Sequence, residues 1–105
     1  MNCDNTKRAY SHNEFINLDF DISDYEFNDE PGTFDGTLIV KKWGRKKNVI
    51  AYVDLDDGRK IICVAYQNND YLGLPDMAMG AKVRLTYIIG VRSGKVRLTA
   101  VECIG

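Results

Sequence analysis

From Thr33 onward, apolar and polar residues alternate in short runs separated by turn-forming residues. Alternation with a period of two marks a strand buried on one face. It predicts five strands, over residues 33–43, 48–55, 59–66, 81–90 and 95–104. In the second, Val49, Ala51, Val53 and Leu55 share one face, with Ile50, Tyr52 and Asp54 on the other. The third is apolar on both faces, Ile61, Cys63 and Ala65 against Ile62, Val64 and Tyr66, so its outer side needs a cover. The fourth turns Val83, Leu85, Tyr87 and Ile89 inward, and the fifth Val96, Leu98 and Ala100. Ser93-Gly94 and Asp57-Gly58 supply turns, the latter a type I′ turn with positive φ at both central residues. Residues 67–80 break the alternation; there Pro75 opens a short helical turn that Gly80 ends.

Upstream of Pro31-Gly32 the pattern changes. Ile16, Leu18, Phe20 and Ile22 alternate with polar residues, which predicts one more strand-like stretch within residues 13–27. Residues 1–12 have no such period and read as disordered. Charge divides the chain at the same boundary. Residues 1–30 hold eight acids against Lys7 and Arg8, whereas residues 31–105 hold twelve bases against seven acids. The net charge of −1 is therefore the sum of an acidic arm (1–30) and a basic body (31–105).

With 105 residues there is room for one small core. No apolar run approaches the ~20 residues of a membrane span, and Met1–Thr6 lacks a signal peptide's apolar centre. Cys3, Cys63 and Cys103 are an odd, scattered set, which argues against a disulfide framework or zinc site and for a reducing, cytoplasmic setting. His12 is the only histidine, Cys63 has no base near it in sequence, and no glycine-rich phosphate loop occurs. The sequence thus reads as a non-enzyme without cofactor or metal.

Three strands joined by tight turns, a longer crossing with a helical turn, then a final hairpin resemble the OB-fold, a small five-stranded closed β-barrel. The entry Leu74-x5-Gly80-x-Lys82-Val83-x-Leu85, followed by Gly90, is similar to that of many OB-fold domains. The whole chain then reads as all-β, an OB-like barrel carrying an N-terminal acidic arm. An SH3-like barrel is the structural rival, but its helical content falls between its last two strands.

The OB resemblance implies a ligand groove across strands two and three, flanked by the loops after strands one and four. The first of these loops carries Lys41, Lys42, Trp43, Arg45, Lys46 and Lys47; the second carries Arg92 and Lys95, with Arg97 just beyond. Together with Arg59 these cations are candidates to contact phosphates, while Trp43 and Tyr52 could stack bases. The expected function is binding of single-stranded DNA or RNA, with the acidic arm modulating access. The alternative is a protein-interaction module, an inhibitor or accessory subunit. Its arm would add a strand to a partner, its basic face would meet an acidic protein surface, and exchanged arms could give a homodimer.

Overall fold

The computed structural model describes residues 8–105. Among these residues six strands form one sheet: β1 (Glu26–Phe27), β2 (Gly32–Trp43), β3 (Asn48–Leu55), β4 (Lys60–Tyr66), β5 (Lys82–Ile89) and β6 (Val96–Cys103). Their spatial order is β1-β4-β3-β2-β5-β6. A short helix, α1 (His12–Asn17), precedes them, and a 3₁₀ segment, Gln67–Asp76, links β4 to β5. The all-β expectation holds. Two of its details do not: the sheet has six strands rather than five, and it stays open rather than closing. The sixth strand comes from the arm. β1 pairs in parallel with Ile61 and Ile62 on the outer edge of β4, the edge that closure would require. The 3₁₀ segment packs against both β4 and β6 at the unclosed seam.

The period-two reading places the core well. Leu38, Val49, Ala51, Val53, Leu55, Ile61, Cys63, Val83, Leu85 and Tyr87 form one buried cluster. β2 organises it by pairing with β5 over Gly32–Thr37 and with β3 over Gly36–Trp43. Gly36 belongs to both pairings, and a Cβ there would meet the Asp54 carbonyl oxygen at 2.6 Å. A residue without a side chain is therefore needed where the strand is pressed from both sides.

Alternation fails at two bulges. In β2, Leu38 faces Val53 but Val40 faces Tyr52, so Ile39 is an extra residue. Such an insertion swaps the faces of everything beyond it. In β6 the pairs Tyr87–Leu98 and Thr86–Ala100 leave Thr99 over, and Val101 is buried where Ala100 was expected to be. The Asp57-Gly58 turn also differs: only Gly58 takes positive φ. Leu55 N–H donates to the Arg59 carbonyl at 2.8 Å, and Gly58 N–H to that of Leu55 at 3.0 Å, which makes a longer hairpin loop. The helical turn expected after Pro75 lies earlier, and the chain is already extended at Met77.

The arm is helical over His12–Asn17, and of the stretch 13–27 expected to be strand-like only Glu26–Phe27 is a strand. Ser11 Oγ accepts from Glu14 N–H at 3.2 Å while Glu14 Oε1 accepts from Ser11 N–H at 2.9 Å. This reciprocal cap satisfies two otherwise orphaned donors and starts α1. Of residues 1–12, expected to be disordered, residues 1–7 lie outside the described ones. Ala9 is buried, and Tyr10 bridges to Lys42 of β2. Cys103 is disulfide-bonded, contrary to the expectation from the odd, scattered cysteines, so they no longer argue for a reducing compartment. Among the described residues no helix is long and apolar enough to cross a membrane.

Candidate nucleic-acid interface

The arm answers the question of what covers the outer face of β2, β3 and β4. Phe15 of α1, Phe20 and Tyr25 gather over Tyr52, with Val40 beneath them. Phe15 and Tyr52 lie nearly parallel, their ring centres 5.6 Å apart and their planes at 14°. Tyr25 meets Tyr52 edge-on at 5.3 Å, and its hydroxyl donates to Asp54 Oδ1 at 2.5 Å. Burial, with that carboxylate beside it, pushes the Tyr25 pKa far up. The alternating residues Ile16, Leu18 and Ile22 are left on the outside instead.

Each candidate cation now has a place. Lys41 is fully buried, which corrects its assignment as a phosphate contact. The bulge at Ile39 turns it inward opposite Ala51. Its Nζ donates to the carbonyls of Leu74, Pro75 and Met77 at 3.3, 2.8 and 2.5 Å. Desolvation lowers its pKa to about 8, partly countered by Asp76. Lys41 is the bolt that ties the 3₁₀ segment to β2. Trp43 is turned the same way by the same bulge. It is half-buried and edge-on to Tyr71, with ring centres 5.2 Å apart. Tyr52 is only 3% exposed, so its ring presents no free face to a base in this conformation.

Two more cations are held by the arm or its neighbours. Lys42 Nζ sits 4.2 Å from the centre of the Phe15 ring. Arg59 Nη1 lies 3.2 Å from Glu30 Oε2 and donates to Asn28 Oδ1 at 3.0 Å, while its Nε donates to Asp57 Oδ2 at 3.1 Å. Elsewhere on the body, Arg84 makes a two-pronged pair with Asp35 at 2.8 and 3.1 Å, holding that carboxyl below its ordinary range. Lys82 pairs with Asp56, and Lys60 with Asp54 at 3.7 Å.

What remains is sharply localised. Arg45, Lys46, Lys47, Arg92, Lys95 and Arg97 are all exposed, and none has an acidic partner among the described residues. They occupy the tips of two hairpins, β2–β3 and β5–β6 with the start of β6. Gly44 N–H donates to the Asn48 carbonyl at 2.8 Å, closing the first tip. A Cβ on Gly44 would meet Asn48 Oδ1 at 1.8 Å, so this glycine is what lets the cationic turn fold back tightly. The two tips stand at opposite ends of β2, because β5 pairs with its first half and β3 with its second. The covered aromatic face lies on the strands between them.

A groove also opens along the unclosed seam, with a cavity of about 350 Å³. Phe27, Asn68 and Asn69, all passed over in the sequence, line it together with Tyr66, Arg97 and Leu98. The available signal in the sequence is Phe27, an aromatic that follows acidic residues and precedes Pro31-Gly32. The Cys63 thiol at the floor lies 3.4 Å from the Tyr87 hydroxyl, and burial raises its pKa to about 11, so it is no nucleophile. No family model, curated protein or solved structure matches the chain.

Proposed function

We propose that the protein binds single-stranded nucleic acid, without catalysis, through its two cationic hairpin tips, and that the arm governs access to the aromatic face between them. One observation carries the reading. Among the described residues, five cations elsewhere are matched by carboxylates, yet the six on the tips are not. Solubility alone would not concentrate unmatched charge at two sites and neutralise it elsewhere, whereas a polyanion would supply the missing partners. Support for an OB-type frame comes from the strand order β4-β3-β2-β5-β6, in which a long first barrel strand is shared between its neighbours.

The arm imitates what it displaces. Phe15 lies on Tyr52 as a stacked base would, and Glu30 engages Arg59 as a phosphate would. The rival reading has the arm add a strand to a partner protein. Here its strand is only two residues long and is already paired within its own sheet, which favours the first reading.

The test is fluorescence anisotropy of a labelled oligo-dT with the full chain at low salt, repeated across a salt series. Binding should weaken with a log–log slope of about −0.7 for each phosphate neutralised. Converting the six tip cations to Gln should abolish most of the binding and flatten that slope. Absence of binding by the unaltered chain at low salt would overturn the proposal.

A further inference from the structure

Resting on that reading, we infer that the seam between β4 and β6 is a nucleobase pocket that seats one base of the bound strand. β1 satisfies the outer edge of β4 only at Ile61 and Ile62, and among the described residues β6 has no strand on its outer side. The groove between them has the chemistry a base requires. Phe27 and Tyr66 stand at it with 69% and 51% of their surfaces exposed, unusual for large rings that contribute nothing to the core in that position. Either face can stack on a heterocycle, and base–aromatic stacking is sequence-tolerant because every base has a π-face.

Polar groups of the right kind converge there too. Asn68 makes no hydrogen bond through its side chain among the described residues, and Asn69 uses only its Oδ1, accepting from Tyr66 N–H at 3.2 Å. Carboxamides present a donor and an acceptor side by side, which matches the polar edge of a base. Arg97 is exposed, has no acidic partner among the described residues, and stands on the opposite wall, placed to meet the phosphate adjoining a seated base. The amides are held by a stiff, costly turn: Asp70, Tyr71 and Leu72 follow at φ of 55°, 55° and 52°. Left-handed backbone at three successive residues with side chains is strained, and such strain concentrates at ligand clamps.

A peptide strand fits this seam less well. The free outer edge of β4 runs only from Cys63 to Tyr66, stopped by β1 at one end and the 3₁₀ segment at the other. Added strands are commonly ~5–6 residues long and need alternating side-chain pockets. A single flat ring needs neither.

The experiment compares two twelve-residue ligands on the full chain: oligo-dT, and an abasic deoxyribose–phosphate oligomer of the same length. The unaltered protein should prefer oligo-dT by about tenfold, the order expected for one stacked base. Phe27→Ala, at an exposed ring of a two-residue strand, should remove most of that preference while leaving the abasic oligomer's affinity within about twofold. Asn68→Ala, on an exposed turn, should lower the preference as well. Equal oligo-dT preference in both variants and the unaltered chain would overturn the pocket while leaving tip-driven binding intact. Failure to bind either oligomer would overturn both readings together.

Discussion

Lys41 and the three cations of the β2–β3 tip lie within seven residues of one another, yet their surroundings are opposite. Lys41 is inside, its ammonium shared among three carbonyls, and it is unavailable to any ligand. Arg45, Lys46 and Lys47 stand in solvent with no carboxylate paired to them among the described residues. The same contrast separates the outer face of β3, roofed by the arm's aromatics, from the bare hairpin tips on either side. A cation's role here follows from whether the chain has already supplied its partner. Residue type and neighbourhood in sequence do not decide it.

The comparison can be broken at its buried side first. Replacing Tyr52 by Ala removes a ring packed against three others and should cost about 3–5 kcal/mol in denaturant unfolding. A loss below about 1 kcal/mol would mean that the arm lies on the face without stabilising it. Lys41→Met should cost about 1–3 kcal/mol, since the three carbonyls lose their donor inside the fold. A sign accompanies that variant. The Lys41 pKa is about 8 in the folded chain and ~10.4 when unfolded, so between those values the unfolded state binds more protons. The unaltered protein should therefore gain stability relative to Lys41→Met as pH rises from about 8 to ~10.4; a fall in that window would contradict the burial of the amine.

Phe15→Ala loosens the roof without deleting it. It should tighten oligo-dT binding several-fold and speed amide hydrogen exchange over residues 9–27 before the strands. Faster exchange with unchanged affinity would leave the arm as cover alone. The smallest effect belongs to the tips: converting any one of Arg45, Lys46, Arg92 or Lys95 to Gln should change stability by less than about 0.5 kcal/mol. A larger loss at any of them would reveal an unseen structural partner and erase the contrast.

Much of the frame was legible because one rule, alternation, governs strands wherever one side is buried. β2 through β6 fall within a residue of the expected spans, and the Val49–Leu55 face is buried as expected. The rule is blind to an inserted residue. Ile39 and Thr99 reverse the alternation, and beyond Ile39 it is Lys41 and Trp43 that turn into the fold. The arm misled in another way. Its period of two at Ile16–Ile22 was real, but the Ser11–Glu14 cap and the pull of three aromatic rings toward Tyr52 outweighed it. Closure was expected but does not occur, because it depends on the far edges of β4 and β6, and no local pattern reports what occupies them.

The lysine beneath the bulge has a consequence for chemical labelling. At neutral pH an amine with a pKa of about 8 has a larger uncharged, nucleophilic fraction than an ordinary lysine. Reagents that acylate amines would be expected to choose it first, yet it has no exposed surface for them to reach. In a mass-spectrometric footprint Lys46, Lys47 and Lys95 should be modified within minutes, while Lys41 stays silent until the 3₁₀ segment lifts. The delay at that one position is a clock for opening of the molecule.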